Sequence, residues 1–276
     1  MAEQVAPVTN GTPRLQLRGI SKTYGAVRAL TDVSFDVHAG EVVGLVGDNG
    51  AGKSTLIKAI AGVGPADEGQ FILEGETINI TSPTVASKLG IETVYQDLAL
   101  CDNLDIVSNL FLGHEEHSTW IPRLLRPLNE IKMEKRTIEV LRTLDVKVPS
   151  VRTPVSSLSG GQRQSIAVAK TILRNAKVVM LDEPTAALGV AQTKQVLNLI
   201  RRLRDQGLAV IVISHNLADV FEVVDTVVVL RLGRKVGTFD VKSTTPEQVI
   251  ASITGAEFKA DVPMDMNGVD LGGSNK

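Results

Sequence analysis

The chain has 276 residues and a single cysteine, Cys101. One cysteine excludes an internal disulfide and a cysteine metal cluster, and it suits a cytoplasmic setting. No apolar run approaches the roughly 18 residues that a membrane-spanning helix needs, so nothing in the chain is expected to cross a bilayer. The N-terminus is polar and acidic and reads as no signal peptide. An excess of either charge is also missing: 29 Lys and Arg against 31 Asp and Glu leave a formal net charge of −2. That balance gives no electrostatic footprint for nucleic acid. The remaining composition, 43% hydrophobic and 22% charged, is that of an ordinary soluble protein, long enough to bury a full core in one large domain or two lobes.

Against that plain background one stretch stands out: Gly47-Asp48-Asn49-Gly50-Ala51-Gly52-Lys53-Ser54-Thr55. It reads G-x-x-x-x-G-K-S, with the apolar run Val42-Val43-Gly44-Leu45-Val46 before it and a helical pattern through Leu56, Ile57 and Ile60 after it. Glycines let the backbone curl so that successive N–H groups converge on one anion, and the helix N-terminus adds its partial positive charge at the same point. Lys53 supplies a point charge for the β- and γ-phosphates, and the Ser54 hydroxyl is placed to ligate Mg²⁺. The stretch therefore predicts binding of a nucleoside triphosphate.

Taken in order, residues 1–13 read as a flexible tail. Leu15–Ile20 alternates as a strand, Ser21–Gly25 reads as a turn, and Val33–Val37 alternates again before Ala39–Glu41 turns into the glycine-loop strand. Short turns make these early strands antiparallel. Phe71–Leu73 is one more strand, and Ile91–Gln96 is a strand ending in glutamine. From Asp97 to about Val148 apolar residues recur at helical spacing, so a helical subdomain, about 97–174, is expected as an insert between strands of the main sheet. His114-Glu115-Glu116-His117 reads as a solvated charged loop rather than a metal site.

Leu158-Ser159-Gly160-Gly161-Gln162 opens another helix, with Ser159 as N-cap. It is either a second anion-binding helix start or an ordinary capped helix. Val178–Leu181 is a continuous apolar strand with Asp182 and Glu183 at its end; Asp182 would hold Mg²⁺ through water and Glu183 would polarise the attacking water. A helix from Val190 to Gln206, a buried strand Ala209–Ser214 with His215 at its end, a helix Leu217–Val223, strands Val227–Leu230 and Arg234–Phe239, and a helix from Pro246 to Ile253 follow. Residues 259–276 read as a second flexible tail. Strands alternate with helices after residue 170, which predicts a parallel sheet covered on both faces, with ligands at the carboxyl ends of its strands. Gly47, Gln96, Asp182 and His215 all follow strand ends, so one pocket can collect them.

GDNGAGKST, Gln96 in VYQDL, LSGGQ, VVMLDEPTAAL and SHN occur in the order found in the ATP-binding subunits of ABC transporters, and over residues 14–255 the chain resembles that family. The likeness implies an α/β P-loop NTPase core with a mainly parallel sheet, an antiparallel β subdomain on the N-terminal side and the helical insert, all within one ATPase domain at 14–258. It implies ATP and Mg²⁺ as ligands and ATP hydrolysis coupled to transport as the activity. By position, Tyr24 would stack on adenine (its plain alternative is a core tyrosine). Residues 47–55, that is Gly47, Asp48, Asn49, Gly50, Ala51, Gly52, Lys53, Ser54 and Thr55, would cradle the phosphates. Gln96 would contact Mg²⁺ and water, and His215 the γ-phosphate. Ser159, Gly160, Gly161 and Gln162 would bind the γ-phosphate held by a second subunit in a head-to-tail dimer, which answers why one chain has two anion-type helix starts and one P-loop. There is one departure: Gly189 stands where the family usually has aspartate, which removes the usual contact between the two sites.

Within the family the chain looks like the single-cassette subunits for ribose-, xylose- and fructose-type import. That implies permease subunits and an extracytoplasmic sugar-binding protein as partners, no nucleic acid, and a peripheral place on the cytoplasmic face of the membrane. The permease is expected to dock in a groove lined by residues 97–103, with Leu98 and Leu100 as anchors or, alternatively, as core residues. Competing readings are an ATPase of another small-solute importer and a soluble ABC ATPase acting on nucleic acid or the ribosome.

Overall fold

The computed structural model describes residues 12–118 and 127–256. Of the two expected tails, residues 1–11 and all of 259–276 lie outside the described residues.

Two sheets face one another across α1 (Lys53–Ile60). The first is antiparallel, in the order β2 (Val27–Val37), β1 (Leu15–Tyr24), β4 (Glu68–Leu73), β5 (Glu76–Ile78). The second has the order β10 (Arg234–Asp240), β9 (Thr226–Arg231), β3 (Val42–Val46), β8 (Ala209–Ile213), β7 (Val178–Asp182), β6 (Ile91–Val94). Its five strands from β9 to β6 are parallel, and β10 adds an antiparallel edge through a hairpin.

Alternation explains why the central strands are apolar throughout. Val43, Leu45, Val178, Met180 and Ile211 enter the core shared with α1 and the antiparallel sheet. Their neighbours Val42, Val46, Val179, Leu181, Val210 and Val212 enter the opposite core, with the helices. That second core is built from α3 (Ile106–Phe111), α4 (Glu130–Thr143), α5 (Gly160–Leu173), α6 (Val190–Asp205) and α7 (Leu217–Val223), with α8 (Pro246–Thr254) at the β9 edge. The helices α3 to α5 lie in the chain between β6 and β7, as the helical spacing predicts.

Three readings of the sequence need correction. Ser21–Tyr24 is not a turn: β1 continues through it, pairing Lys22 with Leu30, Thr23 with Arg28 and Tyr24 with Val27 across successive register shifts. Bulges let a polar, irregular stretch keep its ladder partner, and the turn falls at Gly25, where φ is +57°. The strand at residue 91 ends at Val94, two residues before Gln96. Finally, β5 and α2 (Pro83–Lys88) had no counterpart in the sequence reading. The first is only three residues long; the second begins with Ser82 as N-cap and Pro83 just inside, a start signal.

Candidate functional site

The glycine loop leaves β3 at Gly47 and closes into α1 at Gly52. Both glycines are required by their surroundings. A side chain at Gly47 would collide with the Leu230 carbonyl, and one at Gly52, where φ is +104°, would come within 2.9 Å of the Ala29 carbonyl. No side chain caps α1, so its leading amides are left for an incoming acceptor. Lys53 lies across the loop, its Nζ donating to the carbonyls of Gly47 (2.5 Å) and Asp48 (3.0 Å). Burial pulls the Lys53 ammonium below its ordinary pKa, against the pull of Glu183, Asp48 and Asp182. An open cavity of about 470 Å³ lies over the loop, lined by Asp48 to Thr55, by Val27, Arg28 and Ala29 from β2, and by Leu232 and Gly233.

Beside it, β7 ends in Asp182, whose pKa is raised, first by burial and then by Glu183, with Lys53 opposing. Two acidic groups and a partly buried lysine thus share one corner of the sheet. Glu183 has φ of +49°, a left-handed conformation that is unusual for a residue with a side chain. Its amide is held by the Ile213 carbonyl at 2.9 Å. Its Oε1 stands 2.8 Å from Nδ1 of His215, the second residue after β8. The Glu183 side chain is 16% exposed and that of His215 71%, so the pair faces the open side of the sheet.

The structure brings Lys53, Asp182, Glu183 and His215 into one neighbourhood at the carboxyl ends of β3, β7 and β8. Gln96 is exposed just past β6, whose Val94 pairs with Leu181, so it lies at the same end of the sheet as Asp182. The residue between, Tyr95, was missed by the sequence reading: its phenol is pushed up by burial and feels the Asp182 charge. Tyr24 is 48% exposed, with Lys22 Nζ 5.5 Å from its ring centre, which removes the core alternative. It stands just before the turn that leads to Val27, Arg28 and Ala29 of the cavity wall.

The second helix start lies elsewhere. Ser159 caps α5, its hydroxyl accepting from the Gln162 amide (3.3 Å) while Gln162 Oε1 accepts from the Ser159 amide (3.0 Å). Side chains at Gly160 and Gly161 would press on Leu188, Gln192 and Gln195, so these glycines let α5 approach the start of α6. Ser159 and Gln162 border a separate polar hollow of about 400 Å³ with Lys147, Ser165, Gln195 and Arg202. They do not join the cavity over the glycine loop within one chain. Gly189 is the N-cap of α6; its amide donates to Gln192 Oε1 (3.2 Å), and nothing crowds the place where a side chain would stand.

For a divalent cation, the donors near the loop are the hydroxyl of Ser54 and the carboxylate of Asp182. No cluster of three or more His, Cys, Asp or Glu able to hold a metal occurs among the described residues. Few, hard oxygen donors fit Mg²⁺, which keeps several waters and takes the rest of its shell from phosphate. In the charged loop, the Glu116 carboxylate is engaged by Lys132 and Arg136. Leu98 and Leu100 are half-buried against the helical core. A groove of about 840 Å³ is lined not by residues 97–103 but by Lys88 at the end of α2 and Leu89 after it, Leu110 and Phe111 of α3, His114, Arg136 and Arg174, among others.

Residues 30–186 match the family model described as ABC transporter. The chain is 45% identical to the fructose import ATP-binding protein of Rhizobium meliloti, covering 89% of this chain and 95% of that protein. It is 42% identical to the xylose/arabinose import ATP-binding protein of Sulfolobus acidocaldarius, with 87% and 93% covered. A ribose import ATP-binding protein of Clostridium perfringens is 36% identical over 91% of this chain, which spans 49% of its length. Among solved structures, the ADP conformation of an ATP-binding cassette from an ABC transporter superposes with a TM-score of 0.75 at 25% identity, covering 89% of this chain and 96% of that one.

Proposed function

Because the chain belongs to the ABC transporter family as an ATP-binding subunit that hydrolyses ATP, we propose that it powers the import of a monosaccharide. The observation that carries the chemistry is the convergence of Lys53, Asp182, Glu183 and His215 at adjoining strand ends. The uncapped amides of α1 and the Lys53 ammonium bind the β- and γ-phosphates of ATP, and Tyr24 covers the adenine. Ser54 and Asp182, with Gln96, would hold Mg²⁺, which neutralises charge on the phosphate oxygens when bound. Glu183 polarises a water for attack on the γ-phosphorus, and the bond to the β-phosphate oxygen breaks to leave ADP and phosphate. His215, 2.8 Å from the Glu183 carboxylate, fixes its direction and reaches the γ-phosphate.

The second helix start supports a head-to-tail pair. Ser159, Gly160, Gly161 and Gln162 of one copy would close on the ATP held by the other, and two-fold symmetry completes both sites. Residues 14–258 act as one ATPase domain, with the helical part at about 97–174 meeting the permease. The groove beside Leu89, Leu110, Phe111 and Arg174 suits a short permease helix better than residues 97–103 do, because it is an open hollow, whereas Leu98 and Leu100 pack half-buried against the helical core. No helix among the described residues is long and apolar enough to cross a membrane. Like the import ATP-binding subunits it resembles, the subunit works as a peripheral partner on the cytoplasmic face, driving a permease that takes sugar from an extracytoplasmic binding protein.

The sugar class follows the names of the relatives, fructose, xylose/arabinose and ribose. Reconstitution with the permease and binding protein tests it. Monosaccharide-loaded binding protein should stimulate ATP hydrolysis, and Glu183→Gln should lower turnover by at least ~10²-fold while ATP still binds. Stimulation by an amino acid or metal instead of any monosaccharide would overturn the sugar assignment. Unchanged turnover in Glu183→Gln would overturn the assignment of that carboxylate.

A further inference from the structure

We propose that Thr185 and Asp219 form a positioning pair that aims the Glu183 carboxylate, a role resting on the reading of Glu183 given above. After Glu183 the chain makes a tight turn through Pro184, Thr185 and Ala186. Glu183 and Ala187 both adopt left-handed backbone conformations, with φ of +49° and +58°. Such conformations are costly for residues with side chains and persist only where their surroundings enforce them. Two backbone bonds brace the turn internally, Ala186 N to Glu183 O at 3.1 Å and Leu188 N to Thr185 O at 3.3 Å. Neither bond sets where the turn sits relative to His215.

That placement comes from side chains. Thr185, only 9% exposed, donates its hydroxyl to Asp219 Oδ2 at 2.7 Å. Asp219 lies in the first turn of α7, and Asn216, the N-cap of that helix, directly follows His215. The Asn216 amide donates to Ser214 Oγ (3.0 Å), its side chain accepts from the Ala218 amide (3.1 Å), and Ser214 is buried. The segment 214–219 is thus a braced unit with His215 at its exposed edge. Thr185–Asp219 bolts that unit to the turn that carries Glu183. Three links then join the two strand ends: the Glu183 amide to the Ile213 carbonyl, Glu183 to His215, and Thr185 to Asp219. The first is a sheet contact and the second is the working pair itself. Only the third is a side-chain bond outside the chemistry, so it is the one that fixes the approach of carboxylate to imidazole.

The pair predicts a particular pattern in ATPase kinetics of the full chain. Thr185→Val keeps the shape and removes the donor; Asp219→Ala removes the acceptor. Each should lower kcat by ~10-fold, because small misplacement of a reacting group is expensive, with the KM for ATP within about twofold. Combining them should add little to either alone, as expected of two halves of one contact. Thr185→Ser should recover most of kcat. Asp219→Asn separates two roles, since it keeps an acceptor for the hydroxyl but loses the charge that favours a helix N-terminus. Near-native kcat with a slightly lowered melting temperature in Asp219→Asn supports positioning. Loss of kcat in Asp219→Asn, matching its loss of stability, would overturn it. So would native kcat in Thr185→Val, or additive losses in the double variant. Glu183→Gln is measured alongside: if it stays active, the reading of Glu183 fails; if it is inactive while Thr185→Val is native, only the positioning pair fails.

Discussion

Two helices, α1 and α5, open from glycine-rich stretches, and the two openings are built in opposite ways. At α1 no side chain caps the helix, Gly52 is twisted into a conformation that turns the loop inward, and the leading amides are left unclaimed. At α5 Ser159 and Gln162 exchange bonds, and Gly160 and Gly161 serve close packing against Leu188 and Gln192. A helix start that is to hold an anion alone must keep its donors free. One that answers its own donors can stand exposed in a single chain and still offer Ser159 Oγ and the Gly160 and Gly161 amides to a phosphate brought by a second copy. Similar glycine-rich sequences predict a helix start in both cases, whereas the capping residue decides whether the start is open or closed on itself.

The two helix starts should differ most in what Lys53 contributes. Lys53→Ala should weaken ATP binding to the isolated chain by ~10–10²-fold, the range of one charged hydrogen-bonding group lost from a phosphate site. Isothermal titration should at the same time find Ser159→Ala unchanged. Equal losses in both variants would mean that α5 serves the same nucleotide in one chain, and the contrast would fail.

A smaller effect is expected on stability. Ser159→Ala removes half of a reciprocal cap and should cost about 1 kcal/mol, read by chemical denaturation, whereas no side-chain cap exists at α1 to lose. A cost near zero would mean that the α5 start is not stabilised by its own side chains.

The open end carries a stability burden of its own. Asp182 has its pKa raised by burial and by Glu183, so its ionised form is less favourable in the folded chain than in the unfolded one. Asp182→Asn should therefore raise the melting temperature at neutral pH, where both states are ionised. The gain should shrink as pH falls through the raised pKa toward the ordinary value of 3.8. A gain that grew on acidification would reverse the sign and refute the account. Smallest of all, Gly189→Asp supplies a side-chain cap to α6 in open space, worth a few tenths of a kcal/mol. A loss of stability on that change would show that the Gly189 backbone is needed as it is.

Much of this was legible in the residues. The glycine loop, the apolar strand ending in Asp182 and Glu183, and the Ser159 cap announce themselves because each depends on neighbours in the chain. Less legible was whatever depends on distant partners. Ser21–Tyr24 looked like a turn because its composition is polar, yet strand β2 supplies it a ladder through bulges. Leu98 and Leu100 read as groove anchors or as core residues, and only the fold shows them half-buried against the helical core. The Thr185–Asp219 bond joins residues 34 positions apart, and neither it nor the left-handed conformation of Glu183 leaves a periodicity or a turn signature to read.

The alternation of the central strands has one practical consequence. Among the described residues there are two methionines, Met133 and Met180, and they fall on opposite sides of the parallel sheet, Met180 with α1 and Met133 with the helices. Their methyl resonances are a pair of separate gauges already installed in the native chain. Nucleotide titrations followed at Met180, and permease titrations followed at Met133, would time the response of each half without a single added label.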